Sequence, residues 1–494
     1  MTDTVRPTPD GLSRRSLLGR GAAVGAGITL TGAFGTIFGS DSTVAGSDRA
    51  RPAKTPPGYG PLVADPAGRL ALPEGFSYVL VAESGVTTLE TGEPTPDNPD
   101  GTASFEGRHG GSMLVNNHEI RQTGGNSVPH IDGLVYDTAP GAMGGTTNIE
   151  VDRHGNRIRE YVSLAGTHIN CAGGKTPWHT WLTCEETEAL PPTDGLTQPH
   201  GYVFEVDPYD NGRNQNPKPI KALGRYAHEA LAVDPKRHQI YLTEDATDPN
   251  GLVYRFTPPD SARPLRRGSL GQLGDTDGTL EAMRALDYGT LVPDLSVAQV
   301  GTTYDLEWVT VPDRDASVVT PPATTPVSTR KQFIWSGDPA APGGGITRSR
   351  KLEGAWWGHG GAFIVASFAR NAAPDRSAAQ HDGQVWFLDP HRDTITLVLQ
   401  FAYTPVDDDN DPDGPDNIAV SPYGGVIIAE DGDGKQHLVG ADDRGKAFFF
   451  ARNDLAGSGE MTGPNFSKDK KIMFANVYEP GHVFAITGPF RRSP

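Results

Sequence analysis

Six stretches of the chain share one pattern, a short apolar run that ends in side chains able to bind a metal ion. Five of the runs end in carboxylates, whereas the fourth ends in Arg370 and Asn371. Carboxylate and amide oxygens are the ligands that hard cations prefer. The pattern therefore indicates several strands that aim oxygen ligands at one centre. The stretches are residues 113–119, 181–186, 240–245, 363–371, 426–431 and 473–479.

The elements that would position these groups are short strands separated by turns. Residues 229–245 and 416–431 can be laid over each other, because both run from a carboxylate through an apolar strand and a Pro-containing turn to a second strand ending in Glu-Asp. Residues 465–479 form a third, partial copy. Innermost strands of a propeller run alongside its central channel, so the ends of such strands meet there. The sequence therefore predicts an all-β β-propeller with a metal site on its axis.

The spacing of the six stretches is uneven and predicts an insertion. The largest gap contains residues 258–345, which are rich in Pro, Thr and Asp and include the helix-like run 280–286. We interpret this part as an inserted loop and helix segment, in the position of a lid. Residues 46–71 are predicted to be a flexible lead-in, and residues 72–494 the propeller.

Composition restricts the classes of partner. The chain has 494 residues, 61 of them Gly and 42 Pro, and a formal net charge of -18. Turn residues in these numbers suit a chain of many short strands. A strongly acidic chain lacks the basic face that nucleic acid requires. The charge has two readings, solubility alone or carboxylates that hold cations.

The N-terminus has the pattern of an export signal. Residues 13–18 read Ser-Arg-Arg-Ser-Leu-Leu, a twin-arginine motif, and a weakly apolar stretch rich in Gly and Ala follows from Gly19 to Phe38. Thr43-Val44-Ala45 then offers a cleavage site. We expect residues 1–45 to be a signal peptide and no stable membrane span. The expected partner during export is the twin-arginine translocase, which carries folded proteins, often with a bound cofactor.

The segment with the densest set of reactive groups is residues 170–186. A thiol, Cys171, precedes a Gly-Gly turn, and Cys184, Glu185 and Glu186 follow the next apolar run. These groups suit one cation, although a glycine turn followed by a core strand with a solvated end explains them equally well. Cys171 and Cys184 are the only cysteines. A disulfide, a thiolate ligand and a buried free thiol all remain open.

Three other segments carry possible ligands. Residues 116–119 combine amide, imidazole and carboxylate, although a turn capped by Asn explains them as well. Residues 407–413 resemble a calcium loop but lack the spacing of an EF-hand, so a solvated acidic loop is the favoured reading. Pro415-Asp416-Asn417 leads directly into a strand and is better placed. Before Glu353 stand Arg350 and Lys351, which suit an anionic substrate such as phosphate or a basic surface loop.

These motifs together resemble the PhoX-type bacterial alkaline phosphatases, a family exported by the twin-arginine route. The similarity runs from about residue 72 to residue 490. Its most specific part is the string Asn-Cys-Ala-Gly-Gly-x-Thr-Pro-Trp-x-Thr-Trp-Leu-Thr-Cys-Glu-Glu at residues 170–186. Supporting matches stand in the same order at residues 117–119, 227–229, 242–245, 415–417 and 430–431.

The resemblance implies a six-bladed propeller with iron and calcium at its axis, and hydrolysis of phosphomonoesters outside the cytoplasm. It implies that Cys171 and Glu186 bind iron and that Glu229 and Glu244 bind iron or calcium. It assigns five further residues to calcium, namely Asn117, Glu119, Asp416, Asn417 and Glu430.

The catalytic group implied by the resemblance is Lys351, Arg350 and Glu353. Where the family usually has Arg-x-Glu before Gly, this chain has Lys351-Leu352-Glu353, with Arg350 one residue earlier. Lysine is a point charge without the bidentate fork of arginine, so phosphate binding is expected to weaken or to pass to Arg350. His179 stands where the family usually has Gly.

The sequence thus predicts a monomeric phosphatase that acts on a phosphorylated small molecule in the periplasm, the cell wall or outside the cell. The expected chemistry is metal-assisted phosphoryl transfer, in which Lys351 or Arg350 stabilises developing charge. Two alternatives remain. One is a calcium-dependent propeller lactonase or phosphotriesterase, and the other is a calcium-stabilised binding propeller without chemistry.

Overall fold

A computed structural model describes most of the chain, and its described part is all β. It covers residues 58–121, 125–247, 249–316, 328–333, 345–369, 381–403, 411–457 and 459–491, and the backbone of Ile28–Thr29. Within these ranges there are strands and short 3-10 turns but no α-helix. Accordingly, none of the described residues belongs to a helix long and apolar enough to cross a membrane. The twin-arginine motif, the cleavage site, Arg370, Asn371 and most of the 407–413 loop lie outside the described residues.

The described residues form six blades, each an antiparallel sheet, and the first strand of each hairpin series is the innermost strand of its blade; blades 5 and 6 also receive outer strands from the N-terminal part of the chain. Blade 1 consists of Pro99–Glu106, Ser112–His118, Gly144–Val151 and Arg157–Thr167. Blade 2 consists of Asn170–Lys175, Trp181–Glu185 and Val203–Val206. Blade 3 consists of His228–Val233, Ile240–Glu244, Val253–Thr257 and Thr279–Asp287, with Thr290–Leu291 at its edge.

The second half of the chain builds the other three blades. Blade 4 consists of Leu352–Gly358, Gly361–Ala366, His381–Asp389 and Thr394–Ala402. Blade 5 consists of Pro415–Val420, Val426–Glu430, His437–Ala441 and Ala447–Asn453, extended by Leu70–Pro73 and Leu62–Val63. Blade 6 consists of Met461–Phe466, Ile472–Val477 and His482–Thr487, with Ser77–Glu83 as its outermost strand.

The ring is closed by the N-terminal part of the chain. Ser77–Glu83 completes blade 6, whose other three strands come from the C-terminal end of the chain. Leu70–Pro73 pairs with Ala447–Asn453 of blade 5. Part of the predicted lead-in, residues 62–63 and 70–71, therefore belongs to the propeller. The backbone of Ile28–Thr29 pairs with Thr394–Ala402.

The predicted helix at residues 280–286 is wrong, because this run is the outermost strand of blade 3. Thr279–Asp287 pairs with Val253–Thr257 on one side and with Thr303–Thr310 on the other. Leu280 and Ala282 are fully buried in the core shared by blades 2 and 3. The Leu, Ala, Met and Glu residues favour a helix by propensity, but pairing to two strands and burial of one face override that preference.

The strand Thr303–Thr310 also changes the interpretation of the insertion. It pairs with Thr394–Ala402 of blade 4, so blades 3 and 4 form one continuous sheet through their outer edges. Within residues 258–345, the strands Thr279–Asp287 and Thr303–Thr310 thus lie on the outer rim of the propeller, whereas Arg330 contacts Glu244 at the end of the second strand of blade 3.

The six apolar runs found in the sequence are the second strands of the blades, not the innermost ones as predicted. Each is antiparallel to its innermost neighbour, so the end of the second strand lies beside the beginning of the innermost strand. The side chains that follow the apolar runs are therefore brought to the same end of the channel as the first residues of the innermost strands.

Candidate metal centre

A β-bulge occurs at the start of the innermost strand in every blade. In blade 3, His228 pairs with Glu244 and Leu231 pairs with Leu242, so two residues oppose Thr243 alone. A bulge re-aims side chains locally. The same two-against-one register recurs in the other five blades. The bulged pairs are Asp100 with Gly101, Cys171 with Ala172, Glu229 with Ala230, Glu353 with Gly354, Asp416 with Asn417, and Gly463 with Pro464.

Five of the six bulges thus begin with a metal-binding side chain, and four of these side chains converge. One ligand atom each from Cys171, Glu186 and Glu229 lie within 4.8 Å of one another, and so do ligand atoms from Glu229, Glu353 and Asp416. Glu229 belongs to both groups. This arrangement suits two adjacent metal ions that share a carboxylate. A thiolate with two carboxylates suits a transition metal ion, and an all-carboxylate group suits a harder cation.

Further carboxylates surround the two groups. Glu119, Glu186, Asp245 and Asp431 each occupy the same position, directly after the second strand of a blade, and Glu460 precedes the innermost strand of blade 6. Burial, followed by repulsion from neighbouring carboxylates, raises the pKa of Glu186, Glu229 and Glu460 well above the ordinary value. The same causes raise the pKa of Asp416 to about 8.

These donors fit metal ions. Burial and the charge of Glu119 raise the pKa of Asp100, and one of its carboxylate oxygens, Oδ1, is buried without a hydrogen-bond partner. Oδ1 of Asp245 is also buried and unpartnered. A buried carboxylate without a partner is costly unless a cation or proton neutralises it. The donor set of oxygens and one sulfur matches the iron and calcium that the resemblance implies.

Two cationic side chains face this acidic cluster. Nζ of Lys351 lies 3.2 Å from Oε1 of Glu353, and the pKa of Lys351 is raised by Glu353 and, more weakly, by Asp245. Nη2 of Arg121 lies 2.6 Å from Glu119 and 2.9 Å from Glu186. Both cations therefore stand beside carboxylates of the cluster, and Arg121 remains more than half exposed at its mouth.

The backbone of Lys351 is strained. Its φ is +39°, in the left-handed region that side chains other than glycine rarely adopt. A backbone conformation of this kind persists only where the surrounding structure holds it in place. The charge of Arg350 acts on His381 of blade 4, where burial and this charge lower the pKa of the imidazole to about 3. The structure brings Lys351 into contact with Glu353 of the cluster.

Glu244 and Glu430, both expected to bind metal, point away from the two groups. Glu244 accepts hydrogen bonds from the Tyr254 hydroxyl at 2.8 Å and from Arg330 at 3.1 Å. Glu430 accepts from the backbone N–H of His437 at 2.9 Å. Side chains alternate along a strand, so the last residue of each second strand faces the third strand, and the residue after it faces the channel.

Asn117 and Asn417 also serve neighbouring blades instead of the two groups. Asn117 donates to the carbonyl oxygens of Cys171 and Ala172 at 2.9 and 2.7 Å, and so fixes the bulge of blade 2. Oδ1 of Asn417 accepts from the backbone N–H of Gly463 at 2.7 Å. These amides position the channel backbone by joining one blade to the next.

Asp100, Glu460 and Arg121 were not found from the sequence. Asp100 had a usable signal, because Asp100-Gly101 repeats the carboxylate-Gly pair of Glu353-Gly354 at the start of an innermost strand. Glu460 and Arg121 had none, since each lies outside the strands whose pattern repeats.

Both cysteines are free thiols buried in the core. Sγ of Cys171 lies 3.2 Å from the carbonyl oxygen of His228 and 3.4 Å from that of Glu229. Burial and the charges of Glu229 and Glu186 raise the pKa of the Cys171 thiol. Cys171 and Cys184 are therefore not joined in a disulfide, and Cys171 lies at the edge of the carboxylate cluster, where its sulfur is within reach of the ligand atoms of Glu186 and Glu229.

Comparison with known protein families identifies the family of this chain. The family model described as alkaline phosphatase PhoX matches residues 57–481. The chain belongs to the alkaline phosphatase PhoX family. Membership makes this PhoX-family protein a phosphoester hydrolase, and it accounts for a carboxylate-rich centre on a propeller axis. No curated protein sequence matches the chain.

One solved structure among those compared shares the fold of this PhoX-family protein. Pseudomonas fluorescens PhoX in complex with vanadate, a transition state analogue, is 20% identical with a TM-score of 0.61, over 85% of this chain and 96% of that one. Two gluconolactonases are more distant. XC5397 from Xanthomonas campestris is 13% identical with a TM-score of 0.35, over 87% of this chain and 99% of that one. The periplasmic gluconolactonase PpgL from Pseudomonas aeruginosa is 12% identical with a TM-score of 0.35, over 78% and 97%.

Proposed function

We propose that the protein is an exported phosphatase that hydrolyses phosphomonoesters with the help of iron and calcium and releases phosphate. The observation that carries the proposal is the position of Glu229, which belongs to both ligand groups and lies in a cluster that Lys351 and Arg121 face. A phosphoryl group needs cations on several of its oxygens at once, and this is the arrangement that two adjacent metal ions and two basic side chains provide.

The metal ions would be held by this chain's bulges. Cys171, Glu186 and Glu229 would hold iron, and Glu229, Glu353 and Asp416 would hold a second cation. Bound cations supply Lewis-acid stabilisation of the phosphoryl oxygens. Glu353 is thereby reassigned from a catalytic group to a metal ligand, and its ion pair with Lys351 ties the ammonium group to the edge of the centre.

Glu119 and Asp100 are the residues best suited to calcium near the first two ions. Both are buried, and electrostatic repulsion links Asp100 to Glu119 and to Asp416. Glu244, Glu430, Asn117 and Asn417 would support the site indirectly, through the hydrogen bonds that hold the blades together.

Lys351 would contact the phosphate, and Arg121 would contact it beside Lys351. Lysine provides a point charge, whereas the planar guanidinium of Arg121 can donate two parallel hydrogen bonds to one phosphate. The guanidinium of Arg121 donates hydrogen bonds to two carboxylates, those of Glu119 and Glu186. If Glu186 turns to a metal ion, one of these ion pairs is weakened and the guanidinium is released toward the substrate.

The family relationship supports the substrate class. Pseudomonas fluorescens PhoX is described in complex with vanadate as a transition state analogue, and the propeller of that protein covers most of this chain. Export by the twin-arginine translocase rests on residues 13–45. We propose a monomer that acts on phosphorylated small molecules in the periplasm, the cell wall or the medium.

The proposal is tested on protein exported by its own signal. Iron and calcium are measured by elemental analysis, and hydrolysis of a chromogenic phosphomonoester is compared with that of a phosphodiester and a lactone. Iron with calcium and a strong preference for the monoester is the expected result. Calcium without iron, together with hydrolysis of the lactone or of no ester, would overturn the proposal in favour of a lactonase or a binding propeller.

A further inference from the structure

A cavity opens at the end of the channel opposite the candidate metal centre. The metal ligands Glu229 and Glu353 stand at the beginning of their innermost strands, and Val233 and Trp357, four residues later on the same strands, line this cavity. Four residues of strand span about 13 Å, which separates the cavity from these two ligands. We call this cavity the rear cavity. Its volume is about 490 Å³, within the range of small-molecule sites.

The rear cavity is separated from the metal centre by a narrow axis of small residues. Gly101, Ala172, Ala230 and Gly354 line the space between the two, a void of only about 20 Å³. This void holds no more than a water molecule. A ligand in the rear cavity therefore does not reach the metal ions, and the cavity needs an explanation of its own.

Aromatic side chains form much of the wall of the rear cavity. Trp356 and Trp357 are half-buried at the end of the innermost strand of blade 4, and Phe105 and Tyr209 face the cavity from the side of blades 1 and 2. The rings of Phe105 and Tyr209 meet edge to face, with their centroids 6.4 Å apart. Flat aromatic walls favour a ligand that itself carries a flat ring.

Lys175 supplies a charge without a carboxylate partner. Its Nζ lies 4.8 Å from the ring centroid of Phe105 and donates one hydrogen bond, to the carbonyl oxygen of Ser104 at 2.5 Å. No carboxylate of the described residues pairs with it. Burial and the nearby charge of Lys468 lower the pKa of Lys175 to about 8. A partly buried ammonium group in this state is stabilised by a bound anion.

The other charged residues of the cavity are already paired. Arg267 lies 3.2 Å from Asp207, and Lys468 forms an ion pair with Glu106. The lining therefore carries three basic side chains and one acidic side chain in a protein whose net charge is -18. The lining of the rear cavity is therefore basic, although the protein as a whole is acidic.

We propose that the rear cavity is a binding site for a small organic anion that carries an aromatic ring, with Lys175 as the anchor of its anionic group. The ring stacks on the tryptophan side of the chamber, and the anion lies against the Lys175 ammonium group. This site is independent of the phosphatase centre and does not rest on the function proposed above.

Isothermal titration calorimetry with naphthalene-2-sulfonate tests this site in the metal-loaded protein. The sulfonate stays ionised, is not a phosphate ester and carries the required ring. We expect binding that inorganic vanadate does not displace. The neutral analogue naphthalene-2-sulfonamide and inorganic sulfate, which lack the charge and the ring respectively, should each bind at least tenfold more weakly.

Lys175→Met removes the charge and keeps the apolar stem, and Lys218→Met is the matched control at an exposed lysine. Lys175→Met should weaken sulfonate binding at least tenfold, and Lys218→Met should not change it. Retained phosphatase activity and an unchanged melting temperature show that the Lys175→Met protein is folded. If Lys175→Met is unstable, a second variant, Trp357→Leu, replaces it in the test and should also weaken binding of the sulfonate. Equal affinity in Lys175→Met and the control, or displacement by vanadate, overturns the proposal.

Discussion

Glu185 and Glu186 are adjacent in the chain, yet they serve opposite sides of blade 2. Glu185 is fully buried and accepts hydrogen bonds from the His200 ring at 2.6 Å and from the backbone N–H of Gly201 at 2.8 Å. Glu186 faces the channel and approaches Cys171 and Glu229. The strand therefore separates a carboxylate that holds the fold from one that is suited to hold metal.

This separation predicts different effects for two substitutions of the same type. Glu186→Gln should lower metal content and reduce metal affinity at least tenfold, with little loss of folding in the chelated protein, because it removes a ligand and a repulsive charge. Glu185→Gln should lower the free energy of unfolding by about 1–3 kcal/mol, since it disrupts charged hydrogen bonds in the core. Elemental analysis and denaturant unfolding of both variants measure the two effects. Equal metal loss in both variants would contradict the assignment.

Removal of the metal ions should abolish activity and lower the melting temperature together. The ligands come from blades 2 to 5, so loss of the cations leaves repelling carboxylates between blades. Binding of a metal to the folded state adds directly to stability. The check is calorimetry of metal-loaded protein with and without chelator, followed by readdition of iron and calcium. An unchanged melting temperature after the metal has been shown to leave would contradict the axial site.

Cys171 and Cys184 should differ in their importance for the metal. Cys171→Ser should lose iron and most activity, because serine is a poor replacement for a thiolate ligand. Cys184→Ala is the control, since Cys184 lies in the core and belongs to neither ligand group. It should retain metal and lose only stability through the missing sulfur. Mass spectrometry of the active protein should find both thiols free. A bond between the two cysteines in active protein would rule out this role for Cys171.

Lys351→Ala should reduce kcat/KM on the order of a hundredfold or more, because the substrate loses a cation that stabilises charge in the transition state. Lys351→Arg should keep or raise activity, as the guanidinium fork suits phosphate. Arg350→Ala should have a smaller effect than Lys351→Ala, since Lys351 forms the ion pair with Glu353 at the edge of the centre. Steady-state kinetics at fixed metal content compare the three. A neutral Lys351→Ala with a severe Arg350→Ala would show that the register is shifted by one residue.

The stability of chelated protein should rise as the pH falls from about 8 toward 5. Burial raises the pKa of Asp416 to about 8 from an ordinary value of 3.8, so the folded state binds a proton that the unfolded state lacks across this range. Stability then decreases with rising pH between the two values. Metal-loaded protein should behave oppositely at the acidic end, because protons compete with the metal. Melting temperatures against pH for both forms provide the test, and parallel curves would count against a carboxylate-held metal.

Much of the fold was accessible from the sequence because the pattern repeats. The apolar runs recur in several copies, and two of them share a Glu-Asp end. Each blade is one repeat that packs against its neighbours, so the same apolar pattern returns in every blade. The repeat correctly predicted a propeller. The family resemblance named Cys171, Glu186, Glu229 and Asp416, whose ligand atoms lie close together in the structure. The run at residues 280–286 has no such repeat, and its helix propensity was misleading because pairing on both sides decided its conformation.

What the sequence alone determined is the type of centre, since the residue types at the strand ends and the family motifs specify oxygen and thiolate donors. Which donor faces the channel was decided by the tertiary structure. A bulge shifts the alternation of the innermost strands, so Asp100 and Glu353 turn inward, while Glu244 and Glu430 turn toward the third strand of their blades. The direction of a side chain at a bulge depends on how the innermost strand pairs with the second strand of the same blade, and this register is fixed only in the folded structure.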